Sequence, residues 1–118
     1  MTLSRLLPFE LHAVLEALMA PAIMVAPFAF GFPPAALVGA IVIGALLMGS
    51  ALHGSGRAPR VSAHLGLDLL VTIGTVGLAV GLALTGELAA AIFFAAAAAF
   101  QLLLSANTSY SAAKRAAR

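Results

Sequence analysis

The sequence predicts an all-α fold: a four-transmembrane-helix bundle made of two tandem helical hairpins, with N- and C-termini cytoplasmic. Three observations predict it. First, 63 per cent of the 118 residues are hydrophobic and 8 per cent charged, with a mean hydropathy of +1.12. A soluble domain is about 45–50 per cent apolar and about 25 per cent charged, so this chain cannot cover itself with polar surface and the bilayer is its expected solvent. Second, four apolar stretches reach the ~20 residues that a helix needs to cross a hydrocarbon core of about 30 Å. Third, every lysine and arginine falls on one side of a four-span arrangement.

The chain reads as a single membrane domain over residues 1–118. Hairpin 1 covers residues 1–53, with spans over residues 9–30 and 34–52. Pro33 and Pro34 supply the turn between them, because a proline in a helix's first turn lacks an N–H that would go unused anyway. Pro21 and Pro27 fall inside the first span and are expected to kink it, freeing carbonyls near Ala17 and Ile23. Residues 54–61, overlapping "HGSGRAPR" (His53 to Arg60), form the one polar linker, and His53 just before it reads as a solvated residue. Hairpin 2 covers residues 62–118, with spans over 62–84 and 87–106 and a basic tail. "LTGE" breaks it, with Gly86 as C-cap and Glu87 at the next helix's positive N-terminus. A barrel is a poor alternative because the spans lack polar–apolar alternation.

Orientation follows from the basic residues. Arg5 precedes the first span, Arg57 and Arg60 lie between the second and third, and Lys114, Arg115 and Arg118 follow the fourth. The positive-inside rule makes that side cytoplasmic, placing the chain as a multi-pass protein of the plasma membrane or cell inner membrane. Glu10 and Glu16 interrupt the apolar core that a cleaved signal peptide needs. No cysteine is present, which excludes disulfides and thiolate metal sites. The small charge of +2 sits at segment ends, so no nucleic-acid partner is expected.

An internal repeat is visible. His12 and Glu16 are four apart, as are His64 and Asp68, and both pairs are related by one shift (64 − 12 = 68 − 16 = 52), which also superposes Arg5 on Arg57. Tandem hairpins of this kind are expected as parallel repeats about an axis along the membrane normal.

"APFAFGF", Ala26 to Phe32, resembles the motif of the SPW-repeat family of small bacterial membrane proteins. Ala26, Pro27 and Phe28 stand where that motif has serine, proline and tryptophan, and Gly31 and Phe32 close it; the second hairpin keeps neither the proline nor the aromatic. The resemblance implies two-helix repeats and a bacterial membrane location. It implies no biochemical role.

His12, Glu16, His64 and Asp68 are the candidate functional residues. Residues four apart share a helix face, and a carboxylate facing lipid costs roughly 2.5–3.5 kcal/mol, so these groups are expected to turn inward and meet. Four readings compete. The cluster could pin the hairpins in register through interhelical hydrogen bonds. It could bind and release protons in a proton-linked small transporter. It could hold a divalent metal with two imidazoles and two carboxylates, although His-x-x-x-Glu differs from the Glu-x-x-His of di-iron bundles. It could hold haem b between His12 and His64, with the adjacent acids crowding the porphyrin.

Gly77 and Gly81 form a GxxxG pair, and Gly44 with Ala40 a small-xxx-small pair, for close helix approach within the bundle or in a homo-oligomer. Gln101 is expected to hydrogen-bond to another helix. No phosphate loop, nucleophile–base set or large loop is present, so no enzyme is expected. The expected role is a structural or accessory membrane protein or oligomerising scaffold, with the bilayer, further copies or a larger membrane complex as partners and no cofactor required.

Overall fold

The computed structural model describes residues 8–54 and 61–108 as four α-helices: α1 (Phe9–Phe30), α2 (Pro34–Gly54), α3 (Val61–Leu84) and α4 (Leu88–Ala106). The structure therefore runs α2 two residues further than the sequence suggested, starts α3 one earlier and α4 one later. All four are long and apolar enough to cross a membrane, and at about 1.5 Å per residue each matches a hydrocarbon core of about 30 Å. The six basic residues on which the predicted orientation rests lie outside the described residues, as do linker residues 55–60 and the side chains of His53 and His64.

Local chemistry accounts for the helix ends. Pro8 caps α1 in extended conformation, as its fixed φ favours. α1 continues through Pro21 and Pro27 and stops at Gly31, whose φ of 68° only glycine adopts without strain. Phe32 N–H then donates to Pro27 O at 2.9 Å. Gly86 repeats the device with φ 85°. Gly86 N–H donates to Ala83 O and Glu87 N–H to Leu82 O, a Schellman closure of α3.

α1 packs along α2 and α3 along α4; α2 and α3 meet less extensively, and α1 and α4 barely touch. The buried faces repeat at helical spacing: Ala13, Ala20 and Ile23 on α1, Ala36, Ala40, Ile43 and Leu47 on α2, Val71, Ala79 and Leu82 on α3, and Ala90, Phe94 and Ala98 on α4. The outer surface is apolar as well, with Leu18, Val25, Ile73, Ile92 and Leu103 exposed. Apolar surface on every side suits lipid rather than water as solvent. At the end away from the linker, Phe30, Phe32 and Phe93 meet at centroid distances of 5.6–6.3 Å, and Phe94 joins edge-on to Phe93 at 5.2 Å.

The glycines divide into two groups. A Cβ on Gly44 would lie 2.2 Å from Met24 Cγ and 3.0 Å from Ala20 O, so α1 and α2 approach closely there. Gly39, not singled out by the sequence, sits equally close to the Leu78 side chain, where a Cβ would meet Cδ2 at 2.5 Å. Gly77 and Gly81 instead face outward with nothing within 4 Å of an added Cβ. Among the described residues, an added Cβ at either glycine of this GxxxG pair would meet no other helix. Gly77→Ala is therefore expected to keep the monomer fold and raise its stability by about 0.5–1 kcal/mol through lower unfolded-state entropy. Thermal unfolding in detergent measures it. A destabilisation would mean that Gly77 packs against something outside this chain.

Candidate functional site

Buried polar side chains gather toward one end of the bundle. His12 lies in the first turn of α1 and Glu16 one turn deeper, Ser50 in the last turns of α2, Asp68 near the start of α3, Gln101 near the end of α4 and Thr108 just beyond it. His12, Glu16 and Asp68 each have 0 per cent exposure, and their ligand-type atoms all lie within 4.8 Å of one another. The two members of the sequence pair on α1 thus meet the acid of the pair on α3. His64 lies in α3, but its side chain is outside the described residues.

His12 is the hub. Its Nε2 is 2.8 Å from Asp68 Oδ2 and 3.2 Å from Glu16 Oε2. Its Nδ1 is 2.7 Å from Thr108 Oγ1. The Thr108 hydroxyl donates its one proton to Leu104 O at 2.6 Å, so the Nδ1–Thr108 bond takes its proton from Nδ1–H. That fixes Nε2 as the atom turned toward the two carboxylates. At 2.8 Å from Asp68 Oδ2 this is a hydrogen-bond contact, so a proton is shared on this side of the ring, because two facing lone pairs would repel.

The carboxylates receive further donors from the remaining helices. Ser50 Oγ donates to Asp68 Oδ1 at 3.1 Å, and Gln101 Nε2 donates to Glu16 Oε2 at 2.7 Å. Gln101 thus bonds to another helix, α1. α1, α2, α3 and α4 all contribute to one network. Thr72 and Thr75 stay local, each donating to the carbonyl four residues back at 2.8 Å. Gln101 Oε1 and Ser105 Oγ, one turn apart on α4, are buried side-chain oxygens with no partner among the described residues.

Sequence reasoning missed Ser50 and Thr108. Ser50 could have been found, since besides His53 it is the only residue in α2 that is neither apolar nor glycine. The partners contributed by α2 and α4 break the repeat: a shift of 52 carries Ser50 onto Leu102 and Gly49 onto Gln101.

The arrangement disfavours haem. The Asp68 and Glu16 carboxylate oxygens lie 2.8 and 3.2 Å from His12 Nε2, so a porphyrin plane could reach that nitrogen only by displacing both side chains. No family model, curated protein or solved structure matches this chain; the ground for a function is the buried His12–Glu16–Asp68 network and its partners on four helices.

Proposed function

We propose that the chain is a small, non-enzymatic, multi-pass membrane protein, a structural or accessory scaffold whose two hairpins are clamped at their cytoplasmic end by the His12–Glu16–Asp68 network. The observation that carries this reading is the four-helix origin of the network: α1 supplies the imidazole and one carboxylate, α3 the other, and α2 and α4 donors to each. A polar group buried in a membrane bundle is costly unless partnered, and partners drawn from every helix specify one arrangement of them. With both termini and the linker inside, the clamp lies on the cytoplasmic side of the plasma or inner membrane. Its partners are the bilayer and further copies of itself or a larger membrane complex.

Transport is the weaker reading. Beyond Thr75 the interior passes to Ala79, Leu82, Ala90 and Phe94, with Ala36 and Ala40 opposite on α2, an apolar layer with no ionisable side chain among these residues. Reconstituted into liposomes, the protein is expected to carry no proton flux above protein-free vesicles, and Glu16→Gln to change nothing. Flux that depends on Glu16 would overturn the scaffold in favour of a proton-linked transporter. Protease protection of a tag at either terminus, in cells opened only on the outer face, tests the orientation; cleavage there would reverse it.

A further inference from the structure

We propose that the clamp is a divalent-cation site, held by His12 Nε2, one carboxylate oxygen each from Glu16 and Asp68, and Gln101 Oε1. The inference rests on the same cluster as the scaffold reading and adds an occupant to it. The first argument is the direction of the imidazole. Thr108 Oγ1 accepts the hydrogen bond from Nδ1–H, which leaves Nε2 aimed at Asp68 and Glu16. Histidines that bind metals are oriented in this way, with the distal nitrogen donating to a fixed acceptor and the other one ligating.

The second argument is spacing. Around a four-coordinate zinc with bonds of about 2.0–2.2 Å, neighbouring ligand atoms sit about 3.4 Å apart. Here Nε2 lies 2.8 and 3.2 Å from the two carboxylate oxygens, and all three residues offer atoms within 4.8 Å. Shifts of a few tenths of an ångström up to about one ångström would seat the ion. A doubly positive ion replaces whatever proton lies on Nε2 and removes the conflict of one acceptor facing two others.

The third argument is independent of that triad. Gln101 Oε1 is buried and has no partner among the described residues, while its amide nitrogen sits 2.7 Å from Glu16 Oε2. Exchanging the two ends of the amide when the ion binds gives up the Gln101–Glu16 hydrogen bond of the metal-free clamp and puts an unused oxygen beside the cluster as a fourth donor. Ser50 remains an outer donor to Asp68. One nitrogen and three oxygens, none of them sulfur, suit zinc and other borderline first-row ions and disfavour soft monovalent copper.

The test uses the full chain in detergent, purified with a tag that lacks histidine. After treatment with a chelator the protein is titrated with Zn²⁺, and Co²⁺ serves as a coloured probe. The expected result is about one ion per chain, with visible Co²⁺ bands of a low-symmetry site. Thr108→Val should weaken binding about 10–100-fold by releasing the ring, and Glu16→Gln and Asp68→Asn should weaken it further. Thr108→Val keeps both carboxylates and the ligating nitrogen, so it guards against variants that fail to fold. Substoichiometric metal, or zinc held equally well by His12→Asn, is an adventitious ion only and overturns the site. The two readings separate in chelator. If Glu16→Gln and Asp68→Asn lower stability without metal while wild type binds none, the clamp stands and the ion falls. If they leave stability unchanged, the clamp itself falls.

Discussion

His12→Ala is expected to cost the folded bundle about 3–5 kcal/mol, the range for removing one partner of a buried charged set. The change strips Asp68 Oδ2 of its 2.8 Å contact and Thr108 Oγ1 of its donor. It also leaves two carboxylates near each other with no imidazole between them. An ordinary interhelical hydrogen bond in a membrane averages only about 0.6 kcal/mol; the larger figure applies because two fully buried carboxyl groups lose the imidazole that joins them. Against a total stability of about 5–15 kcal/mol, this brings the variant close to the threshold of folding. Ser50→Ala is the internal contrast. It removes one neutral donor from Asp68 Oδ1 and is expected to cost about 0.6 kcal/mol. Unfolding by SDS in mixed micelles, followed by circular dichroism, measures both. Equal, small losses in the two variants would mean that His12 is not the hub.

Gly44→Leu is expected to be the next most damaging change. Even a first carbon at this position falls 2.2 Å from Met24 Cγ, 2.8 Å from Met24 Sδ and 3.0 Å from Ala20 O. Met24 is flexible and can swing aside, but Ala20 is fully buried and its carbonyl belongs to the backbone of α1. Accommodating four extra carbons therefore forces α1 and α2 apart. Overpacking of this kind costs about 1–3 kcal/mol or more. Gly77→Leu is the control, facing open space on α3, and should be no less stable than wild type, gaining up to about 0.5–1 kcal/mol from the loss of a helix-interior glycine. The same SDS titration compares them, and a Gly44→Leu protein as stable as the control would remove the close α1–α2 contact.

Much of the helix pattern was legible because its signals are strong and local. Length and apolarity set the four spans, and Pro33–Pro34 and Gly86 mark the breaks between them, where backbone chemistry allows little else. The inward placement of Glu16 and Asp68 followed from the cost of showing a carboxylate to lipid. The role of Gly77 and Gly81 was less legible, and the reason is helix rotation. At about 100° per residue, the nine residues from Asp68 to Gly77 amount to about 180°. Placing Asp68 inward therefore turns Gly77 out, and an isolated GxxxG match does not carry that constraint. Ser50 and Thr108 needed more than rotation. A serine in a helix can bond its own backbone equally well, and Thr108 lies in a polar stretch with many candidate donors. The isolation of Ser50 in an apolar helix marks it as a candidate, but only the packing of the four helices shows which acid it reaches, and that packing alone selects Thr108.

A double-mutant cycle between His12 and Asp68 tests the clamp most directly. His12→Ala, Asp68→Ala and the double variant are compared with wild type in chelator, so that any bound ion is removed from the comparison. The two side chains come from α1 and α3 and approach to 2.8 Å. Contact across the two hairpins predicts a coupling of about 1–3 kcal/mol. Strictly additive losses, with a coupling of zero within error, would contradict it.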